Sequence, residues 1–502
     1  MALKSTSWKL ALSSSILLCA LLTACSSGGE AQPSGGGSGN DKPSVQLTFA
    51  YLNPGGTMTD LGLVQDEINK ITKQKINATV KLLPIDGAAW TQQVNLLLAG
   101  NEPLDLLMTS SFFNYSSQVA KGQLRPLDDL LNKYGQGIKS SLEPIFYDGT
   151  KINGKIYGVA SFRELVADYG FIARKDLQDK YNIDLSKIKS FEDLEMVFKT
   201  IKDNEPGMSP LVQRSSTTTV VGDMMGSKAD GLGDSLGVLM LDDKNTKVVN
   251  LYETPQYKDA VALARKWYQA GYIMKDAATT QESGFALVKA GKGFGYFSNM
   301  KPGFEIQEKG LTGFEMKAVR LSKPIGGATG PIAFMVSIPS NTKYPDEAMK
   351  LMNLLYTDAD VMNLLDNGIE GKHYVKVKDG IIKKPDGAAS GYTFNQWEIG
   401  NNSLTALWEG NDSDHWNHLK QFNMSAVYSP AVGFSFDAAN VKTEVASVTN
   451  VINQYKAGLE SGSLDPKALP EFIDKLKTAG MDKIVAEKQK QLDAWLASNG
   501  KK

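Results

Sequence analysis

Two hydrophobic periods alternate along the first hundred residues of the chain's body. Residues 45–52 (VQLTFAYL) alternate at period two and are rich in strand formers, and Asn53-Pro54-Gly55-Gly56 follows as a turn. Over 59–74 the apolar positions change to helical spacing, with Leu63, Ile68 and Ile71 on one side. Residues 78–83 predict a second strand, Asp86 is placed as the N-cap of a helix through Ala99, and Gly100 as its stop. The run 104–108 (LDLLM) predicts a short strand buried on both faces. Strand, helix, strand, helix, strand is the order of a parallel sheet covered by helices, an α/β arrangement.

The pattern then recurs less regularly. Residues 152–159 (INGKIYGV) predict a strand with a turn at Asn153-Gly154, and 169–173 another, followed by a helix over 175–181. Helical spacing covers 191–204 and 256–269, and 293–297 (GFGYF) and 332–338 (IAFMVSI) read as strands. A helix over 346–356 is opened by Pro345, a favoured first-turn residue. Residues 441–456 and 470–495 predict long helices.

The N-terminus follows a different rule. Lys4 and Lys9 precede an apolar stretch over 11–22, about a dozen residues, where a membrane-spanning helix needs ~20. It fits the h-region of a secretory signal. Leu22-Thr23-Ala24-Cys25 resembles the lipobox of bacterial lipoproteins, in which the cysteine is acylated and becomes the new N-terminus. Residues 26–43 hold almost nothing that could be buried and predict a flexible coil, with a typical end-to-end distance of roughly 20–25 Å. This predicts a signal peptide over 1–24 and a lipidated Cys25 with its linker over 25–43, with the body tethered to the outer face of the cell membrane.

Composition narrows what the body can be. Cys19 lies within the signal and Cys25 would be acylated, so disulfides play no part. A formal net charge of −1 leaves no electrostatic footprint for nucleic acid. The length exceeds what one core can fill, so two or more lobes are expected.

The order of elements resembles the extracellular solute-binding proteins of carbohydrate ABC importers, the large family that includes maltose-binding protein. Four stretches carry the resemblance: VNLLLAGNEPLDLLMTSS from Val94, INGKIYGVASFRE from Ile152, KAGKGFGYFSNMKPGF from Lys289 and IAFMVSIPSNTKYPDEAMKLMNLL from Ile332. In the first, Leu104 intervenes in the family's Gly-x-x-Pro-Asp turn. NGIEGKHYV, AVGFSFDAANVKTEV and AEKQKQLDAWL resemble a lipoprotein branch of monoderm bacteria that carries a C-terminal module of unassigned function. The resemblance implies a periplasmic-binding-protein-like fold of two α/β lobes with a ligand cleft between them. One lobe is placed at 44–160 and 330–395, the other at 161–329 and 396–502. It further implies a permease and its ATPase as partners, since the chain carries neither spans nor an ATP site. A monomer without cofactor is expected.

An oligosaccharide presents apolar C–H faces that stack on aromatic rings and hydroxyls that need paired donors and acceptors. In open α/β sheets such groups belong on loops after strands. TSSFFNYSS, from Thr109, has that composition and offers Ser110, Ser111, Phe112 and Tyr115, with Phe113 between them. Asn53 follows the first strand, and Arg163 and Glu164 sit where the resemblance places the first crossover. On the opposing lobe it points to Ser298, Asn299, Phe434 and Phe436. Trp397, Trp408 and Trp416 read as core or surface anchors, and Trp90 as packing. Candidates on at least four loops span more than one sugar ring.

Catalytic signals are sparse. His415 and His418, near Asp412 and Asp414, lack metalloprotease spacing and read as a solvated helix start. GKGFGYF and GLGDSLG do not meet the dinucleotide fingerprint, and neither Walker A nor Gly-x-Ser-x-Gly occurs. The expectation is a non-enzyme without a metal site that captures an oligosaccharide by lobe closure. The alternative is a surface lipoprotein glycoside hydrolase or lyase, since any acid-rich chain holds candidate carboxylate pairs. A peptide- or metal-binding lipoprotein is disfavoured.

Overall fold

A computed structural model describes residues 43–500 apart from residues 54, 101, 216, 242–245 and 388–390. The signal peptide, Cys25 and the linker up to residue 42 lie outside the described residues.

Two sheets, each with its own apolar core, account for the two lobes. The first runs Ala78–Asp86, Val45–Asn53, Leu106–Thr109, Met335–Ser337, Val159–Ala160 in spatial order. Its first three strands are parallel, and Met335–Ser337 is antiparallel to both neighbours. The strand Leu106–Thr109 is buried throughout, as a continuous apolar run at the centre of a covered sheet should be. Val45–Asn53 departs from its alternating pattern: residues 47–52 are all buried, because the helices Leu61–Ile76 and Trp90–Ala99 help to cover the sheet. Thr48 tolerates this because its N–H donates to the buried Asp105 carboxylate at 2.8 Å. Asp86 does not cap a helix. It stays in its strand, its Oδ1 accepts from the Ala88 N–H at 2.9 Å, and the helix begins only at Trp90. The hairpin Lys151–Ile152 with Lys155–Ile156 turns at Asn153 and Gly154, both at positive φ, the geometry an Asn-Gly pair favours.

The second sheet runs Met316–Arg320, Asp168–Arg174, Gly293–Met300, Ser209–Leu211. Its core gathers residues between Phe171 and Met316 and, from the C-terminal helices, residues between Val441 and Ile484. The first core draws on residues between Leu47 and Val166 and between Ile332 and Leu419.

The chain therefore crosses between cores near 163–168, 322–331 and 426–434. These segments hydrogen-bond side by side: Ala167 exchanges backbone bonds with Ile325, and Ile325–Gly326 pairs in parallel with Val427–Tyr428. Gly326 is required there, since a Cβ would stand 2.3 Å from the Tyr428 ring. Gly433 adopts φ +92°, and a Cβ would stand 2.5 Å from the Gly149 carbonyl oxygen. Asp230 ties the crossings to the second lobe: its carboxylate accepts from the Ala328 N–H at 2.9 Å and the Leu232 N–H at 3.1 Å.

The third crossing falls about thirty residues later than the boundary at 395 expected from sequence. Ile399 and Leu419 lie in the first core, Trp416 and Phe422 pack against it, and the Trp416 indole donates to the Thr405 carbonyl at 3.0 Å. Phe162, Leu165 and Val166 likewise belong to the first core.

The C-terminal helices are Lys442–Glu460, Leu469–Ala479 and Met481–Ser498. The long helix expected over 470–495 is broken at Gly480, whose φ of +106° no helix interior accommodates. Leu492 and Leu496 pack with Ala328, Ala431 and Phe434 of the crossings in a third, small cluster. Lys488 is fully buried. Its Nζ donates to Asp234 and to the Gly237 carbonyl at 3.2 Å, and lies over the Phe436 ring at 4.8 Å.

Candidate functional site

The loop after Leu106–Thr109 sorts its own side chains. Ser110 is buried, and its Oγ accepts from the Phe112 N–H at 3.0 Å, capping a short helical turn over Ser111–Phe113. Ser111 Oγ is buried without a hydrogen-bond partner. Phe113 turns inward against Trp90, with ring centroids 5.5 Å apart. Tyr115, expected at the ligand, is 1 % exposed. Its hydroxyl donates to the Thr150 carbonyl at 2.6 Å, so it is a core residue. Phe112 alone of the three rings faces out, at 62 % exposure.

Phe112 is one end of an aromatic row. Its ring centroid lies 6.0 Å from that of Phe334, which in turn meets the edge of Trp397 at 4.5 Å. The Arg163 guanidinium covers Phe334 at 5.4 Å. The Trp397 backbone is held by Ser161, whose Oγ donates to its carbonyl at 2.7 Å. Phe334 and Trp397 were not among the expected ligand-binding residues. Phe334 sits inside the run IAFMVSI, which reads as buried strand, but the strand starts only at Met335 and leaves Phe334 half-buried at its mouth.

The second lobe supplies a polar wall around a cleft of about 360 Å³. Glu164, Ser298, Asn299 and Arg214 line it. Ser298 is buried and donates to the Asn299 carbonyl at 3.0 Å, while the Asn299 side chain is exposed and accepts from Arg214 Nη1. Arg214 also holds Asp223 side-on, Nη2 at 2.8 Å and Nε at 3.3 Å. Among the described residues three of its five N–H groups are thus engaged. Burial pushes the Asp223 carboxyl up to about 7 against the pull of Arg214. Arg214 follows the strand Ser209–Leu211, the position from which open sheets address ligands, and that was its signal in the sequence.

The two walls meet at the first crossing. Glu164 accepts from Lys301 of the second lobe at 3.1 Å and lies 3.7 Å from Arg163. Burial opposes ionisation of Glu164, but Lys301 and Arg163 outweigh it and hold the carboxyl below its ordinary range. Arg163 and Glu164 therefore link the aromatic row to the polar cleft.

The remaining candidates lie elsewhere. Asn53 closes its own turn, Nδ2 donating to the Gly56 carbonyl at 3.2 Å and Oδ1 accepting from the Gly56 N–H at 2.7 Å. Phe434 is 2 % exposed and packs on Trp495 of the last helix. Phe436 lies under Lys488. Both serve the packing of the C-terminal helices, not the cleft, because the segment that carries them turns away after the third crossing. His418 pairs with Asp412 at 2.9 Å at the start of the helix His415–Met424. Among the described residues no cluster of three or more His, Cys, Asp or Glu could hold a metal ion.

The pattern of the bacterial extracellular solute-binding protein family matches residues 55–362, and that of a domain of unknown function matches 430–497. The chain is 29 % identical over 471 residues to a carbohydrate ABC transporter substrate-binding protein of Streptococcus pneumoniae, covering 91 % of each. It is 22 % identical over 524 residues to lipoprotein LipO of Bacillus subtilis, covering 94 % of this chain and 96 % of the relative. The structure is similar to that of the N-glycan transport solute binding protein NgtS of S. pneumoniae, with a TM-score of 0.76, 28 % identity and coverage of 91 % of this chain and 99 % of that one. Against NgtS in complex with Man1GlcNAc and Man5GlcNAc the TM-score falls to 0.67 and 0.63. This chain thus matches the two glycan complexes less well than the first structure.

Proposed function

The chain belongs to the bacterial extracellular solute-binding protein family, and from that premise we propose that it captures an oligosaccharide between its lobes and hands it to an ABC transporter. The observation that carries this reading is the pairing of walls. One bears the partly exposed aromatic row Phe112, Phe334, Trp397, the other a pinned guanidinium and exposed amide at Arg214 and Asn299. Rings match the C–H faces of sugars and the polar wall matches their hydroxyls. The three paired crossings provide a hinge, and a ligand touching both walls shifts the population toward a closed form. The spread of similarity to the NgtS structures, from a TM-score of 0.76 to 0.63 for the complex with Man5GlcNAc, supports such a motion.

The glycans named for NgtS supply the first probes. Titration calorimetry with Man5GlcNAc is expected to show saturable binding, with no new reducing ends after prolonged incubation. Formation of reducing ends would make the protein a hydrolase and overturn the reading.

Delivery requires membrane-spanning and ATP-hydrolysing partner subunits, and no helix among the described residues is long and apolar enough to cross a membrane. The lipobox-like LTAC at Leu22–Cys25 and the similarity to a lipoprotein support anchoring through Cys25 on the outer face of the membrane. Cys25→Ser is expected to shift the protein from the membrane fraction to the medium or to leave an uncleaved precursor. A fully processed, membrane-bound variant would contradict the anchor.

A further inference from the structure

A second groove opens where the aromatic row ends. It has a volume of about 370 Å³, and Trp397 and Trp408 stand on its wall with Asn395, Gln396 and Lys384. Both indoles are 36 % exposed, unusual for the side chain with most to gain from burial. Neither indole N–H donates a hydrogen bond among the described residues, and no ring stacks on Trp408. Its backbone is nevertheless fixed. Trp408 pairs with Ile382 across a three-stranded sheet, and its carbonyl accepts from the Asn411 backbone N–H at 3.1 Å and the Asn411 side chain at 2.9 Å. An apolar face and an unspent donor, both held rigidly, are what a sugar ring recognises.

The groove adjoins the aromatic row. Trp397 joins the two, meeting Phe334 at 4.5 Å on one side and lining the groove on the other. Two residues beyond Trp408, Gly410 lies against the second lobe: a Cβ there would stand 3.9 Å from Ile306. The groove is also built from residues 366–408, between the stretches matched by the two family patterns, so the shared frame does not account for it.

We propose that the groove between Trp397 and Trp408 is an outer saccharide subsite, which takes a further sugar ring of a glycan whose first rings occupy the interlobe cleft. The inference rests on the oligosaccharide reading above and deepens it: Trp408 stacks on the outer ring, and the protein distinguishes long from short glycans there.

Calorimetry of the wild-type protein, Trp408→Ala and Trp408→Phe against Man1GlcNAc and Man5GlcNAc tests this. Trp408→Ala is expected to weaken Man5GlcNAc by about three- to tenfold, while Man1GlcNAc stays within about twofold of wild type. Trp408→Phe, which keeps a ring and the strand, should recover most of the loss. Equal losses for both glycans, or none for either with wild-type binding intact, would overturn the subsite and leave the oligosaccharide reading standing. If the wild-type protein binds neither glycan, the reading falls and the subsite with it.

Discussion

Trp397→Ala is expected to weaken binding of both Man1GlcNAc and Man5GlcNAc by about thirtyfold or more, ~2 kcal/mol, the loss typical of a central aromatic anchor. Three features single this residue out. Its backbone is held by Ser161, its ring edge meets Phe334, and it lines the outer groove as well as ending the row. Removing it deletes a stacking face and also the contact that orients Phe334. Phe112, more exposed and at the far end, should matter less: Phe112→Ala is expected to cost a few-fold at most. Phe436→Ala is the informative control. Its ring covers the buried Lys488, so the variant should melt earlier yet bind glycan as the wild type does. Calorimetry on the three variants checks the ranking. Wild-type affinity in Trp397→Ala, or a loss in Phe436→Ala as large as that expected for Trp397→Ala, would move the site.

Stability should peak in mildly acidic solution and fall as the pH rises toward 8.5. Beside Trp397, Glu398 is fully buried, and burial pushes its carboxyl up to about 8. Nearby Asp366 is raised well above its ordinary value, first by burial and then by the charge of Glu398. Burial also raises Asp168 to about 6 and Asp223 to about 7. In each case the folded pKa exceeds the unfolded one. The native state therefore holds its proton more tightly, and the stability this contributes is complete below the unfolded value and lost as the pH climbs through the folded one. For Glu398 that window runs from 4.5 to about 8 and is worth on the order of 5 kcal/mol. Glu164 works in the opposite sense. Its pKa is lowered, so its contribution is lost as the pH falls through the carboxylate range, which closes the acid side of the optimum. Calorimetric melting of the ligand-free protein should show the midpoint dropping by several degrees from pH 5 to 8.5. Glu398→Gln should flatten that slope and melt higher than wild type at pH 8.5. A midpoint that rises across this range, or an unchanged slope in Glu398→Gln, would contradict the buried acid.

Much of the frame is legible in the residues themselves. The opening strands and helices are marked by a change of hydrophobic period, and the 152–156 hairpin by Asn153-Gly154 at its turn. Other features depend on contacts between distant segments. Nothing near residue 395 shows that Ile399 and Leu419 join a core whose first strands lie more than two hundred residues earlier, so the local pattern places the third crossing too early. Which ring of a loop faces out is likewise a tertiary matter. Phe112 and Tyr115 share one loop, but only Tyr115 finds a carbonyl, that of Thr150, to satisfy a buried hydroxyl. Phe434 and Phe436 turned inward because a helix fifty residues on supplies Trp495 and Lys488 to cover them. Gly480 is a local signal: a glycine within a helical pattern marks a stop when the backbone turns left-handed.

Glycan binding is expected to close the lobes about the three paired crossings. Small-angle X-ray scattering of the protein with and without saturating Man5GlcNAc tests it most directly. A smaller radius of gyration is expected with the glycan, and a clearly smaller change for Trp397→Ala at the same glycan concentration. An unchanged radius of gyration in the wild-type protein, with binding confirmed by calorimetry on the same sample, would contradict it.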